Sequence, residues 1–226
     1  MKTKYSMKKH IILIVLILST IGTAQAQLRF GVKAGANATS LFNISTIAND
    51  HSPAVNFQIG GIMQYDFWIF TLQPELNLVR NTVKLNNAYD KYYLQQYAEL
   101  TEDAPALTFQ STHIELPVNL LYKVNIGKTK LFAEMGPFVS FNLGGTFNGE
   151  SKFYDKYADQ MAFHWIDYGV GAGAGLEYKK FQLNAKWNWG LNWIGSKVPN
   201  VYETGNINVF NDMKYMNLSI SLGYFF

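Results

Sequence analysis

The ionisable residues of this sequence recur on one parity. Arg29, Lys33, Glu75, Glu115, Lys123, Glu134, Asp167, Glu177 and Lys186 each sit at alternate positions of stretches whose other positions are apolar. Such a set suits two kinds of chemistry. The groups can compensate one another in a confined space, because a buried charge must be paired, or they can pass protons or ions along a path. Glu75, Glu115 and Glu134 lie on successive stretches. Carboxylates facing lysines and an arginine are more simply counter-ions than a general acid–base pair.

Acid–base catalysis needs a histidine within reach of a nucleophile and a carboxylate. His113 stands two positions from Glu115 on the same face and could orient against it; His164 opens a later stretch. Ser111 and Ser151 are the candidate nucleophiles, with no motif around either. No nucleophile, base and orienter can be assembled into a set, so no catalytic residue is assigned. No His, Cys or carboxylate group has metal-ligand spacing, and the glycine series from Gly169 lacks the helix that follows a phosphate-binding loop. The expectation is no metal and no cofactor.

The elements that carry these residues read as strands. Eight segments alternate apolar and polar with period two: Leu28 to Asn37, Ala54 to Tyr65, Trp68 to Arg80, Thr112 to Val124, Lys130 to Leu143, Phe163 to Tyr178, Phe181 to Trp193 and Met213 to Phe226. Short turns fall around Asp66-Phe67, at Asn125–Thr129 and at Lys179-Lys180. Long connections fall at Ala38–Pro53, Asn81–Ser111, Gly144–Ala162 and Ile194–Asp212. Strict interleaving puts all short turns at one rim of an up-and-down meander and all long loops at the other, the plan of outer-membrane barrels.

A soluble barrel also has one apolar and one polar face, and three features decide against it. The apolar parity carries no charge except Arg80 and Lys214, both at strand ends, as expected where a charge at the bilayer midplane costs about 2–4 kcal/mol. Aromatic residues close the apolar faces: Tyr65, Tyr122, Tyr178, Trp187, Trp189, Trp193 and Tyr224 suit the two membrane interfaces. Gly169, Gly171, Gly173 and Gly175 share the polar parity, where they make room for long side chains inside a lumen that eight strands leave only just wide enough to be filled. The fold expected is therefore all-β, an eight-stranded antiparallel up-and-down transmembrane β-barrel.

Composition agrees. Hydrophobic residues make up 48% and charged residues 15%, too apolar for a disordered chain and poorer in charge than a soluble domain. No apolar run is long enough to span a bilayer as a helix. The run Ile11 to Leu18 sits behind Lys2, Lys4, Lys8 and Lys9 and ahead of Ala24-Gln25-Ala26. This is the order of a cleavable signal peptide, so residues 1–26 are expected to be a leader and 27–226 the barrel domain. Removing its four lysines turns the formal charge of +3 into −1, so the basic balance is no argument for nucleic-acid binding. With 0 cysteines the exported chain must be held by burial and hydrogen bonds.

The connections are aromatic. Tyr89, Tyr92, Tyr93, Leu94, Tyr97 and Leu100 suit one side of a short helix in the second long loop, and Phe153, Tyr154 and Tyr157 recur in the third. Such rings can cover the barrel mouth, rest on lipid headgroups or recognise a partner.

Phe30-Gly31-Val32-Lys33-Ala34-Gly35-Ala36-Asn37 and Leu72-Gln73-Pro74-Glu75-Leu76 resemble the PorT-like outer-membrane β-barrel family. So do Ile114-Glu115-Leu116-Pro117, Gly136-Pro137-Phe138, Asp167-Tyr168-Gly169 with Gly171-Ala172-Gly173, and Gly190-Leu191. The final Ile220, Leu222, Tyr224 and Phe226 resemble the C-terminal signal read by the barrel-assembly machinery. The resemblance implies an outer-membrane barrel; the secretion role of the family's name-giving member does not carry over with it. The partners expected are outer-membrane lipid and lipopolysaccharide, the assembly machinery during biogenesis, and an envelope protein. The expected role is non-enzymatic, structural or surface-binding. An accessory of a secretion or envelope-assembly machine comes second, a lipid-modifying hydrolase third and a small solute channel fourth.

Overall fold

The computed structural model describes residues 28–42, 51–85, 107–147, 165–192 and 214–226. The leader at 1–26, the aromatic loop residues, Ser151, His164 and Trp193 lie outside the described residues.

Eight strands follow one another in the chain: β1 (Leu28–Phe42), β2 (His51–Phe67), β3 (Phe70–Leu85), β4 (Leu107–Ile126), β5 (Thr129–Phe147), β6 (Ile166–Tyr178), β7 (Phe181–Gly190) and β8 (Lys214–Phe225). Each pairs antiparallel with its sequence neighbours, and β8 pairs with β1, so the sheet closes into a barrel. Closure leaves no open edge, which the hydrocarbon of a bilayer would not tolerate. The seam holds Ala34 against Leu222 and Ala36 against Ile220. Phe226 N–H donates to the Phe30 carbonyl at 2.9 Å, tying the chain end to the turn rim.

The alternation sorts the two faces. On β8, Asn217, Ser219 and Ser221 are buried while Leu218, Ile220 and Leu222 are at least half exposed. The same inversion holds on β7, where Gln182, Asn184, Lys186 and Asn188 are buried and Phe181, Leu183, Trp187 and Trp189 are exposed. Most apolar side chains of every strand face out, so the exterior meets lipid and the lumen is largely polar. Among the described residues no helix is long and apolar enough to cross a membrane, and the strands make the crossing.

The structure moves several expected boundaries. Asp66 and Phe67 belong to β2, and the turn lies at Trp68-Ile69. In the next hairpin Asn125 and Ile126 still pair with Lys130 and Thr129, leaving Gly127-Lys128 as the tip. Toward the loop rim β1 continues to Phe42, β3 to Leu85 and β5 to Phe147, while β2 begins at His51 and β4 at Leu107. Parts of the expected long loops are therefore paired strand. Backbone pairing needs no apolar period once the ribbon leaves the hydrocarbon, so residues such as Asn81, Thr82 and Gln110 continue a ladder that hydrophobic alternation does not mark. In the other direction, β6 begins at Ile166 and β7 stops at Gly190, so Trp165, Leu191 and Asn192 are not strand.

Candidate functional site in the barrel lumen

Room for the lumen contents comes from the glycine face of β6. A Cβ on Gly175 would lie 2.2 Å from the Leu183 carbonyl oxygen and 2.4 Å from the Phe132 ring. On Gly169 it would lie 2.7 Å from the Phe138 ring, on Gly171 2.2 Å from Asn188 Oδ1, and on Gly173 3.0 Å from Glu134 Oε1. These glycines accommodate bulky side chains reaching in from β5 and β7.

At the turn rim Glu177 accepts from Lys123 Nζ at 2.7 Å and from Arg29 Nη2 at 3.1 Å. Gln64 locks the group together. Its Oε1 accepts from Arg29 and, at 2.9 Å, from Lys123. Its Nε2 donates to Glu177 at 2.7 Å and to Gln73 at 2.6 Å. Gln182 also donates to Gln73, at 3.0 Å. The Arg29 guanidinium stacks 4.7 Å from the Phe225 ring centroid, and Asp66 lies 3.7 Å from Lys123 at the edge.

Gln73 hands this group on to the next, donating to Glu75 at 2.7 Å. The Glu75 carboxylate is fully shielded from solvent. It pairs with Lys33 and accepts from Asn77 at 3.0 Å and Asn119 at 3.1 Å. Asn119 in turn accepts from Lys186 at 2.8 Å. Glu134 accepts from Asn184 at 2.9 Å and Glu115 from Asn188 at 3.3 Å. A continuous chain of polar contacts thus runs from Arg29 through the middle of the bore to Lys186. In the same part of the lumen, Asn77, Asn184 and Asn188 Oδ1 and Glu134 Oε2 take no hydrogen bond from protein.

Toward the loop rim the contacts are mainly between neutral groups. Asn81 Oδ1 accepts from Thr39 at 2.9 Å, Asn217 at 3.2 Å and Asn37 at 3.4 Å. Thr82 donates to Asn56 at 2.7 Å. His113 lies between two serines, with Nε2 at 2.7 Å from Ser111 Oγ and Nδ1 at 3.3 Å from Ser140 Oγ. It does not orient against Glu115, whose hydrogen bonds come from Asn188. Asp167 sits at the loop-rim end of β6 and accepts the Tyr168 N–H at 2.8 Å. Ser111 and His113 form a hydrogen-bonded pair that no sequence motif marks. Ser111 is only 1% exposed, so the pair is enclosed by its surroundings. Among the described residues no group of three acidic, His or Cys side chains could hold a metal ion.

Sequence reasoning missed the apolar part of the lumen. Ile62, Val79, Leu121, Phe132, Phe138 and Phe225 are buried. Their parity was the available signal: Phe132 and Phe138 alternate with Glu134, Gly136 and Ser140, and Leu121 follows Asn119 by two.

On the exterior, Trp187 and Trp189 stack at 5.6 Å, and Phe181 meets Tyr224 edge-on at 5.3 Å. Tyr65, Tyr122, Tyr178 and Tyr224 lie on the outward face toward the turn rim, Ile220 and Leu222 line the outer face of β8 with Tyr224, and exposed Phe226 follows the strand. Arg80 is exposed on the outward face near the loop rim, where its Nη2 donates to Gln110 at 2.7 Å.

The fold is similar to that of several solved outer-membrane proteins. Neisserial surface protein A shares 15% identity over 87% of this chain and 97% of its own, with a TM-score of 0.41. Outer membrane protein W of E. coli shares 12% over 88% and 97%, with a TM-score of 0.40. Ail, the attachment invasion locus protein of Yersinia pestis, shares 10% over 88% and 98%, with a TM-score of 0.39. Comparison with curated proteins finds no match. Residues 23–194 match the model of the outer membrane protein beta-barrel domain, and the chain belongs to that family.

Proposed function

We propose that this outer-membrane barrel is a non-enzymatic, non-conducting scaffold with a structural or surface-binding role, its filled lumen making the strands a rigid support. The supporting observation is the unbroken run of side-chain contacts from Arg29 and Glu177 through Gln73 and Glu75 to Lys186. Eight strands leave no room for an aqueous channel beside such contents. The contacts on the outside are lipid and lipopolysaccharide. Arg80 and Lys84 are exposed near the loop rim, where anionic headgroups would compensate them. The outward residues Ile220, Leu222, Tyr224 and Phe226 serve barrel assembly in this reading, and residues 1–26 serve export. Planar-bilayer recording of the purified barrel tests the scaffold: a closed baseline is expected, and steady unitary steps would refute it. Pull-down from mild detergent asks about partners, and a stoichiometric envelope protein would shift the reading to an accessory of a secretion or assembly machine.

A lipid-modifying hydrolase is the third reading, favoured by the 2.7 Å contact between Ser111 and His113. It requires substrate to reach a serine that is 1% exposed. Lipopolysaccharide whose acyl chains are altered by the wild type and unaltered by Ser111→Ala would establish it. Identical lipid with both proteins would remove it.

A further inference from the structure

The three turns at the short-turn rim share a backbone and differ in chemistry. Each is a two-residue loop closed by a paired position on either side: Phe67 with Phe70, Ile126 with Thr129, and Tyr178 with Phe181. In each, the first loop residue has positive φ: 52° at Trp68, 62° at Gly127 and 56° at Lys179. Such a hairpin favours glycine at that place, and Gly127 meets the preference. Lys179 and Lys180 extend their ammonium groups over the rings of Tyr178 and Tyr224, at 5.4 and 5.8 Å. The β2–β3 turn reads Phe67-Trp68-Ile69-Phe70, without a charged side chain, and places a tryptophan where backbone sterics disfavour any side chain.

Trp68 is 92% exposed, more than any other large hydrophobic side chain described, and Ile69 beside it is 48% exposed. A bulky ring that is both strained at its backbone and bare at its side chain contributes little to the folded barrel itself. The turn is continuous with the lipid-facing wall. Tyr65 stacks on Phe67 at 6.2 Å, Phe67 meets Phe70 at 6.2 Å, and Phe70 meets Tyr122 at 6.1 Å. This ladder of rings runs along the outer face to the tip. The position within the ring of strands matters as well. Counting round the closed barrel, the β2–β3 turn is four strands from the β6–β7 turn, the farthest separation available. The apolar tip and the Lys179-Lys180 tip therefore stand on opposite sides of the rim.

We infer that Trp68 and Ile69 form a lipid-inserting prong that seats the β2–β3 side of the turn rim in the periplasmic leaflet, while Lys179 and Lys180 hold the opposite side at its headgroups. The occupant is the interfacial zone of the bilayer, where tryptophan is enriched because its ring is apolar and its indole N–H is wet. The two sides are held by different forces, one by burial of rings and one by attraction of ammonium groups to anionic headgroups.

The full chain refolded into phosphatidylethanolamine/phosphatidylglycerol vesicles provides the test. Trp68→Gly is the matching variant, since glycine suits the positive φ and leaves the turn able to form. The difference between the wild-type and Trp68→Gly emission spectra isolates the Trp68 signal. We expect that signal to be blue-shifted, lost in vesicles whose acyl chains carry bromine close to the headgroup, and shielded from acrylamide present on both faces. A difference signal that emits as free tryptophan, ignores the bromolipids and is fully quenched by acrylamide would overturn the inference, leaving a periplasmic protein as the occupant to seek. Heat-modifiable migration of both proteins on gels verifies that the spectra compare two folded barrels. Were Trp68→Gly to fail this, Trp68→Asn, which also tolerates positive φ, takes its place with the same expected and overturning outcomes.

Discussion

In the turn-side and middle parts of the lumen Glu177 faces Arg29 and Lys123, and Glu75 faces Lys33. In the loop-side part Asn81 gathers Asn37, Thr39 and Asn217, and His113 lies between Ser111 and Ser140. Both fill the same bore with polar side chains, but they fail differently. A buried ion pair that loses one partner leaves a charge with nothing to compensate it, whereas a neutral bond that loses one partner leaves an amide or hydroxyl that its neighbours can partly satisfy. The charged part is thus an all-or-none plug. The neutral part is a set of small, replaceable contacts near the mouth, with Asp167 as an acidic exception among the described residues.

The largest expected effect comes from breaking the charged part at its centre. Glu75→Ala strands Lys33 and removes the acceptor of Gln73, Asn77 and Asn119. It should cost about 3–5 kcal/mol in urea unfolding from lipid vesicles. Next comes the space that both parts depend on. Gly175→Val drives a Cβ to within 2.2 Å of the Leu183 carbonyl oxygen, a backbone atom that cannot rotate away. The overpacking should cost about 1–3 kcal/mol by the same measurement. Asn81→Ala removes the hub of the neutral part and should cost about 1 kcal/mol, which sharpens the contrast with Glu75. If the two alanine variants cost the same, the distinction between the parts fails. Arg80→Gln, on an exposed external pair, should move stability by no more than about 0.5 kcal/mol.

The barrel was legible because one physical demand writes itself along every strand. A residue such as Leu218 must meet acyl chains and its neighbour Ser219 must not, so the period of two appears in the sequence. The demand ends with the hydrocarbon, and legibility ends with it: Asn81 to Leu85 and Leu107 to Ser111 pair as strand without announcing it. The turn at Trp68-Ile69 is not legible in the sequence, because a tryptophan at positive φ is the residue that turn chemistry argues against. Parity gave which residues face inward, but the partners across the lumen depend on how far successive strands are staggered. Gln64 reaching Glu177 and Lys186 reaching Asn119 were therefore invisible in the sequence. Phe132 and Phe138 are hidden for a simpler reason: an aromatic residue in a membrane strand is expected to face lipid, and these two occupy the space beside Gly175 and Gly169.

The central claim is the sidedness of the wall, and the absence of native cysteine makes it directly measurable. Single cysteines placed in turn at Asn217, Leu218, Ser219, Ile220, Ser221 and Leu222, each carrying a nitroxide in the lipid-embedded barrel, report collisions with oxygen dissolved in the acyl chains. The structure predicts high oxygen accessibility at 218, 220 and 222 and low accessibility at 217, 219 and 221. The opposite alternation, or none, would contradict it.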